Sequence, residues 1–323
     1  MTIKVSVVIP VYNAARFVAQ AVESALQQPE TAEILLIEDG SPDDSLAVCQ
    51  SLANKYEKVK LLRHPGGQNK GAGASRNMGM KNASFEYIAF LDADDYYLPG
   101  RFKVAEHIFE SDPSCEGIYE AIGMEVKDDD SWNRWQKANK PEERLKTIKG
   151  IVDPSELGRD LITGKKGYFS LDGFIIRKNI LYKSGYMEET LRLHQDTEFI
   201  IRTAIVSKLL PGSLDKPVSM WRVHEQNRIS APRTTIETLN DRLLMWTNLY
   251  EWCKKKSYRK YQEDIMPIIV SNIISKKRFN NEITGKILRR IARLKQVCVA
   301  LIKEPKLMID QYFWSALFTI IHG

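Results

Sequence analysis

The sequence predicts an α/β protein in which a mostly parallel, Rossmann-like central sheet is flanked by helices. Apolar runs long enough for strands buried on both faces alternate with segments whose apolar residues recur at helical spacing. These runs also stop in polar or acidic residues, which belong at the carboxyl edge of such a sheet, where ligands bind. Three runs show both features: residues 5–10, 34–37 and 87–91.

The first run is followed by a turn at residues 11–13. Asn13 is predicted to cap the amino end of the next helix, because its side chain can accept a backbone hydrogen bond there. That helix is indicated by apolar residues at helical spacing: Val18, Ala21, Val22, Ala25 and Leu26. A strand that begins at residue 5 leaves no room for a signal peptide, so we expect a cytoplasmic protein.

The second run ends in Glu38 and Asp39, and a glycine-rich segment follows at residues 68–79. Glycines there let the backbone approach a ligand, and Arg76 is suited to contact a phosphate or a base edge. Arg76 stands where the dinucleotide pattern G-x-G-x-x-G has its third glycine, and the P-loop pattern G-x-x-x-x-G-K-[ST] does not fit either. Neither the NAD-binding nor the P-loop interpretation is therefore favoured.

The third run ends in three carboxylates within four positions, Asp92, Asp94 and Asp95. A buried strand cannot hold unpaired negative charge, so we expect these side chains beyond its carboxyl end. Clustered carboxylate oxygens suit Mg²⁺ or Mn²⁺, ions that usually carry phosphates. An acidic turn that caps the next helix is the alternative interpretation.

Four segments together resemble the family-2 glycosyltransferases, which are inverting enzymes of the GT-A fold. That family carries S-V-V-I-P-x-Y-N at its first strand, D-D-G-S at its second, an A-R-N-x-G helix, and D-A-D-D as its D-x-D motif. The matching segments here are residues 6–13, 38–41, 75–79 and 92–95. Two positions depart from the pattern, because Glu38 replaces an Asp and Ser75 replaces an Ala.

The resemblance implies a donor site for a nucleotide sugar, expected to be a UDP-sugar. Pro10 and Tyr12 would line the base pocket, and Asp39 would accept the N3–H of uracil. Arg76 would lie near the base and the phosphates. Without the family pattern, Tyr12 is interpreted as an ordinary turn aromatic and Asp39 as a helix-capping carboxylate.

The resemblance also implies a divalent metal, Mn²⁺ or Mg²⁺. Asp92 would face the ribose or the metal, and Asp94 would ligate the metal. A later segment resembles the family's R-x-H-x-x-x-x-S pattern, in which His224 would be a further ligand as a neutral imidazole. Arg222 or Arg228 would stabilise the departing diphosphate. A hydrogen-bonded surface histidine is the alternative interpretation of His224.

Residues 193–202 look like the family's E-D-x-E-F acceptor motif, in which Asp196 matches the base that deprotonates the acceptor hydroxyl. A carboxylate base suits the chemistry, because sugar hydroxyls are poor nucleophiles and general base assistance contributes about 10²–10⁴-fold. The motif's first Glu is Gln195 here, which keeps the size and removes a charge. Asp172 is expected near the acceptor cleft. No function is predicted for His64.

The length of 323 residues exceeds one typical domain. We expect a catalytic domain at residues 1–232, with a nucleotide-sugar-binding half at 1–115 and an acceptor half at 116–232. A helical C-terminal region is expected at residues 233–323. The four cysteines form no C-x-x-C pair, which indicates free thiols in a reducing compartment.

The net charge of +6 is concentrated near the C-terminus, where residues 242–306 carry 16 Lys/Arg against 5 Asp/Glu. Residues 287–301 form an amphipathic basic helix in this prediction, a pattern typical of helices that lie on an anionic membrane. Residues 307–321 are apolar, but a bilayer span needs about 20 residues. A helical appendage packed on the catalytic domain is the alternative. Nucleic acid is not a predicted partner, because few aromatics interleave with the basic clusters.

The sequence therefore predicts a metal-dependent inverting glycosyltransferase, cytoplasmic or peripheral at the inner face of the membrane. Its acceptor would be a hydroxyl of a saccharide or lipid-linked saccharide in cell-surface polysaccharide synthesis. A nucleotidyltransferase is one alternative, although residues 11–14 offer no glycine-rich basic loop for a triphosphate. The other is a non-catalytic, membrane-associated sugar-nucleotide-binding protein, which we would expect to lack Asp94 or Asp196.

Overall fold

The structure, a computed structural model, describes residues 2–126, 145–224, 234–278 and 314. The chain divides into two compact units, Met1–Ala231 and Pro232–Gly323. The predicted functional division into residues 1–115, 116–232 and 233–323 stays a prediction. The predicted membrane-surface helix at residues 287–301 lies outside the described residues, as does the apolar stretch after it apart from Trp314.

The first unit contains two sheets. Its strands in chain order are β1 (Val5–Val11), β2 (Thr31–Glu38), β3 (Val59–Arg63), β4 (Tyr87–Phe90), β5 (Tyr96–Tyr97), β6 (Gly117–Tyr119), β7 (Ile122–Val126), β8 (Leu145–Lys146), β9 (Phe174–Arg177), β10 (Leu209–Pro211) and β11 (Ser219–Val223). The large sheet has the order β10-β6-β9-β4-β1-β2-β3, and the small one β5-β11-β7-β8. Within the described residues of the large sheet, β9 alone runs antiparallel to its neighbours. The predicted mostly parallel sheet is confirmed.

Helices connect these strands. Those of the first unit are α1 (Val18–Leu26), α2 (Ser45–Lys55), α3 (Ala72–Asn82), α4 (Lys103–Ser111), α5 (Pro154–Thr163), α6 (Leu181–Ser184) and α7 (Gln195–Val206). The second unit contains α8 (Thr235–Lys255) and α9 (Arg259–Arg278) in its described part. Helix α8 begins with a capping box, in which Thr234 and Glu237 bond each other's backbone N–H groups. None of the helices in the described residues combines the length and hydrophobicity needed to cross a bilayer.

Strands β1, β2 and β4 form the centre of the core, with Val7, Leu36 and Ala89 fully buried. Helix α3 lies directly on this layer, because Gly79 leaves no room for a Cβ atom against Val8 of β1. This close approach holds the whole helix against the sheet. Arg76, one turn earlier on α3, is buried as a result.

The prediction that Asn13 caps α1 is wrong. The helix begins at Val18, and Asn13 has a left-handed backbone with φ of 52°. Its backbone N–H donates to Ser41 Oγ at 3.2 Å, and the N–H of Ala14 donates to Ser45 Oγ at 2.9 Å. The turn after β1 is therefore held by side chains from the turn after β2, which ends at the same edge of the sheet.

Four parallel strands bring their carboxyl ends to one edge. Val11 of β1 is in register with Glu38 of β2, and Glu38 is in register with Arg63 of β3. On the other side of β1, Val8 is in register with Phe90 of β4. The order of the strands along the chain reverses between β1 and β4, which marks the switch point where open α/β sheets bind ligands. The residues that reach this edge are Tyr12, Asp39, His64 and Asp92.

Candidate functional site

Three carboxylates gather in the loop after β4. One oxygen from each of Asp92, Asp94 and Asp95 lies within 4.8 Å of the others. Asp92 and Asp94 are half-buried, whereas Asp95 is only 1% exposed. Such a set of hard oxygen donors fits Mg²⁺ or Mn²⁺, as the sequence predicted. We refer to residues 92–95 as the acid loop.

His224 reaches the acid loop from the end of β11. Its Nε2 lies 3.1 Å from Asp94 Oδ2, and the imidazole side chain is largely buried. The imidazole ring also packs against the ring of Phe17, with the centroids 4.7 Å apart. The structure therefore brings together the two residues predicted as metal ligands, one nitrogen donor and one oxygen donor. Their role as ligands stays a prediction.

Arg222 supports the acid loop from its buried side. Its backbone N–H donates to Asp95 Oδ1 at 2.8 Å, and its Nη1 donates to the carbonyl oxygen of Asp94 at 2.9 Å. The guanidinium lies 4.6 Å from the centroid of the Tyr96 ring. Through these contacts Arg222 stabilises the acid loop. The predicted contact of Arg222 with a diphosphate stays a prediction. Arg228 lies outside the described residues.

Arg76 of α3 interacts with both the acid loop and Asp196. Its Nη2 donates to Asp92 Oδ1, while Nε and Nη1 are buried without a hydrogen-bond partner among the described residues. Burial opposes the charge, but the carboxylates of Asp92, Asp196 and Asp172 raise the pKa of Arg76 above its usual value. Two buried guanidinium donors without a hydrogen-bond partner are suited to an anion such as a phosphate, and the predicted phosphate contact of Arg76 stays a prediction.

Asp196 lies in the first turn of α7 and is half-buried. Its Oδ1 accepts the backbone N–H of Thr197 at 2.7 Å. Burial alone would raise the pKa of Asp196, but Arg76 and Lys146 hold it below the usual aspartate value. A lowered pKa favours the ionised form of Asp196, and that is the form in which a carboxylate can take a proton.

Asp172 lies beneath the acid loop, in the turn before β9, and it is buried. Its Oδ1 accepts the backbone N–H of Asp92 at 3.0 Å, and its side chain shares a hydrogen bond with Asp95. Burial raises the pKa of both carboxyls, and Asp92 raises the pKa of Asp172 further. This placement favours support of the loop over the predicted contact with an acceptor.

The predicted base pocket lies at the ends of β1 and β2. Tyr12 is 45% exposed, and Pro10 is half-buried. Asp39 is buried, and its Oδ1 and Oδ2 accept the backbone N–H groups of Lys70 and Gly71 at 2.7 and 2.8 Å. Each carboxylate oxygen has two lone pairs, so Asp39 keeps acceptor capacity for a ligand.

Sequence analysis assigned no role to Asn77, although this residue lies within the recognised A-R-N-x-G pattern. It is buried next to Arg76, and its Nδ2 donates to Met187 O and Glu189 Oε1, each at 2.9 Å. Its Oδ1 accepts the backbone N–H of Met187 at 2.8 Å. Helix α3 is thereby bonded to the segment that leads into the helix of Asp196. The A-R-N-x-G pattern was the signal that pointed to this position.

His64 is the second missed residue. It follows β3, and its Nε2 lies 3.1 Å from Ser75 Oγ and 3.6 Å from Asp39 Oδ1. The pairing of β2 with β3 is what brings His64 next to Asp39. A single sequence does not show that pairing, so sequence analysis could not identify His64.

Comparison with known proteins places these residues in a family. The family described as glycosyl transferase family 2 matches residues 6–185. The uncharacterized glycosyltransferase YibD of Escherichia coli (strain K12) is 28% identical over 329 residues, which cover 98% of this chain and 85% of YibD. The succinoglycan biosynthesis protein ExoU of Rhizobium meliloti (strain 1021) is 39% identical over 97 residues, which cover 30% of this chain and 28% of ExoU.

Among solved structures, residues 1-349 of S. aureus TarS in complex with UDP-GlcNAc are similar, with a TM-score of 0.57 at 19% sequence identity. The superposition covers 97% of this chain and 79% of the TarS chain. The fold is therefore GT-A, as the sequence resemblance implied, with an α/β core and a mostly parallel central sheet. The family match extends over more than half of the residues, and the chain belongs to glycosyl transferase family 2.

Proposed function

We propose that this glycosyltransferase is metal-dependent and inverting, and that it moves a sugar from a UDP-sugar to a hydroxyl of a saccharide or lipid-linked saccharide. The observation that carries this proposal is the position of Arg76, a buried cation that bonds Asp92 and lies within electrostatic reach of Asp196. It connects the proposed donor site to the proposed base. The alternatives of a nucleotidyltransferase and a non-catalytic binding protein find no observation in their favour.

The proposed donor site lies along the carboxyl edge of the sheet. Tyr12 offers an exposed ring for stacking on the base, and Asp39 offers acceptor lone pairs to a base N–H. The Nε and Nη1 groups of Arg76 are suited to the diphosphate, because charge-assisted hydrogen bonds to phosphate are strong. The UDP-GlcNAc bound to the similar TarS structure supports a nucleotide sugar as the donor.

The proposed metal site consists of Asp94 and His224, with Asp92 beside them. A divalent ion held there would neutralise charge on the diphosphate and make it a better leaving group. Arg222, Asp95 and Asp172 hold the ligands in place through the contacts described above.

In the proposed reaction, Asp196 takes the proton from the acceptor hydroxyl. The resulting oxygen forms a bond to the anomeric carbon on the face opposite the diphosphate. The bond from that carbon to the diphosphate oxygen breaks, and its electron pair leaves with the diphosphate, next to Arg76. Positive charge develops on the sugar ring during this step, as in glycosyl transfer generally. One displacement inverts the anomeric configuration.

We propose cell-surface polysaccharide synthesis as the setting, and the similarity of residues in this chain to ExoU, a succinoglycan biosynthesis protein, supports it. The proposed location is the cytoplasm or the inner face of the membrane. The basic C-terminal region, residues 242–306, supports contact with an anionic lipid surface through its 16 Lys/Arg.

The test is donor hydrolysis with a panel of UDP-, dTDP- and GDP-sugars, each with Mn²⁺ and with a chelator. We expect turnover of a UDP-sugar that requires Mn²⁺, and an early product whose anomeric configuration is opposite to that of the donor by proton NMR. Turnover of a GDP-sugar alone would contradict the uracil assignment. Retention of configuration would contradict the single displacement.

A further inference from the structure

Asp39 and His64 are neighbours because β2 and β3 run parallel and in register. Glu38 lies opposite Arg63 in that pairing, so the next residue of each strand enters the same edge of the sheet. His64 is 8% exposed and Asp39 is 2% exposed. The imidazole Nε2 lies 3.6 Å from Asp39 Oδ1, which places the imidazole ring beside a buried carboxylate.

Ser75 completes this arrangement from α3. Its Oγ lies 3.1 Å from His64 Nε2, and its backbone N–H donates to the carbonyl oxygen of Gly71 at 3.0 Å. Ser75 is fully buried. The family pattern has an alanine at this position, so the hydroxyl is a feature of this chain.

The segment between His64 and Ser75 folds around Asp39. The N–H of Gly67 donates to the carbonyl oxygen of His64 at 2.9 Å, which closes a tight turn. A Cβ atom at Gly40 would lie 2.5 Å from the carbonyl oxygen of Gly67, so the turn sits directly on the residue after Asp39. The turn and the N–H groups of residues 70 and 71 therefore fix Asp39 from several sides.

An aspartate, a histidine and a serine in contact also raise the possibility of a nucleophilic triad, and the geometry excludes it. In such a triad the two imidazole nitrogens contact different partners, one the carboxylate and the other the hydroxyl. Here Nε2 is the atom closest to both Ser75 Oγ and Asp39 Oδ1. A fully buried serine is also closed to a substrate. The three residues therefore form a support, in which the Nε2 edge of the imidazole lies against both Ser75 Oγ and the Asp39 carboxylate.

We propose that His64 and Ser75 are positioning residues that orient the Asp39 carboxylate for recognition of the nucleotide base, an inference that rests on the proposed function. A carboxylate that two backbone N–H groups hold and an imidazole flanks keeps its remaining lone pairs in one direction. Such an acceptor selects a base that presents a ring N–H, as uracil does at N3. The N3 atom of cytosine carries a lone pair and no hydrogen, so it cannot donate a hydrogen bond to the carboxylate.

The test compares UDP with CDP. Calorimetric titrations with Mn²⁺ are made on the full-length parent and on the variants His64→Leu, His64→Gln and Ser75→Ala. We expect His64→Leu to weaken UDP binding about tenfold, because the Asp39 carboxylate loses the polar group that lies beside it. CDP binding should change little, so the UDP:CDP preference falls. His64→Gln should recover most of the preference, because its side-chain amide places a polar group where the imidazole Nε2 lies.

Two controls separate this role from a general loss of structure. His107 is an exposed histidine on α4, and His107→Leu should bind UDP like the parent. In donor hydrolysis, His64→Leu should raise the KM for the donor and leave kcat near the parental value, because Asp196 lies on another element.

An unchanged UDP:CDP ratio in His64→Leu would overturn the inference. If His64→Leu does not fold, Ser75→Ala decides in its place, because it removes one oxygen from a position where the family has alanine. We expect Ser75→Ala to lower the ratio about threefold, and an unchanged ratio there would equally reject the role. A parent that binds neither nucleotide would instead contradict the proposed function.

Discussion

His224 and Asp94 face each other across 3.1 Å, although 130 residues separate them in the chain. The pairing of β11 with β5 causes this, since Ser219 lies opposite Tyr97 and Met220 opposite Tyr96. The strand that contains Arg222 and leads into His224 is thus paired with the two residues that directly follow the acid loop. The candidate metal site therefore combines residues of the acid loop with His224, which follows a strand that is distant in the sequence.

The first prediction concerns this site. Asp94→Asn should abolish the metal-dependent part of UDP binding, because the neutral amide is a far weaker ligand for Mn²⁺ than a carboxylate. Calorimetric titration with UDP, with Mn²⁺ and with a chelator, measures it. Asp215 is exposed in the turn before β11, and Asp215→Asn serves as the matched control. Equal UDP affinity with and without metal in the parent would sink the idea.

The second prediction concerns the base. Asp196→Asn should reduce sugar transfer by at least about 10²-fold, because the acceptor hydroxyl loses its proton acceptor. UDP affinity should remain parental. Glu198 in the same motif is bonded to Arg202 at 2.5 and 2.7 Å, so its carboxylate is already engaged. Near-parental transfer by Asp196→Asn would reject the assignment and direct attention to Asp172.

The third prediction follows from the lowered pKa of Asp196, on which Arg76 and Lys146 act against the effect of burial. A base works only when deprotonated, so activity is lost as the pH falls through its pKa. Removing a nearby cation raises that pKa, and the acidic limb of the kcat/KM profile should move to higher pH in Lys146→Gln. The profile of Lys149→Gln, an exposed lysine nearby in sequence, should match the parent. If the acidic limb of the Lys146→Gln profile stays at the parental pH, a group other than Asp196 controls that limb.

The fourth prediction concerns Asn77. Asn77→Ala leaves the buried N–H and carbonyl groups of Met187 without their partner. We expect a loss of about 1–3 kcal/mol in the free energy of unfolding, measured by urea denaturation. Sugar transfer should fall more than UDP binding, because the segment leading to Asp196 is displaced. Asn82→Ala, at the exposed end of the same helix, should cost less than about 0.5 kcal/mol. Parental stability in Asn77→Ala would contradict the proposed anchoring.

The fifth prediction concerns the basic C-terminal region. The full-length protein should co-sediment with anionic vesicles at low salt and dissociate as salt rises, because exposed charges are screened beyond a Debye length. Each basic residue at such a surface contributes about 1 kcal/mol. Replacing Arg289, Arg290 and Arg293 by Gln should therefore weaken binding strongly. A parent that stays in the supernatant at low salt would favour the helical appendage packed on the protein.

Local patterns were enough to predict the sheet and much of the candidate site. Strands β1, β2 and β4 are buried on both faces. A continuous apolar run predicts such burial even when the neighbouring strands are not known. The acid loop and Arg76 were found for a related reason. Charged residues that directly follow a buried strand, or that lie among glycines, belong at the edge of the sheet. Their position can therefore be predicted from the local sequence.

Tertiary structure alone decided which side chains meet. The contacts of His64 with Asp39 and of Asn77 with Met187 depend on strand register and helix packing, which bring together positions far apart in the chain. Register and packing are set by the whole core, so no short pattern contains them. The same holds for Asp172, because the energy of a charge depends on how much water the surrounding atoms exclude. Sequence order determined which groups reach the edge of the sheet, and packing determined which of them are exposed, which are paired and in which direction their pKa values shift.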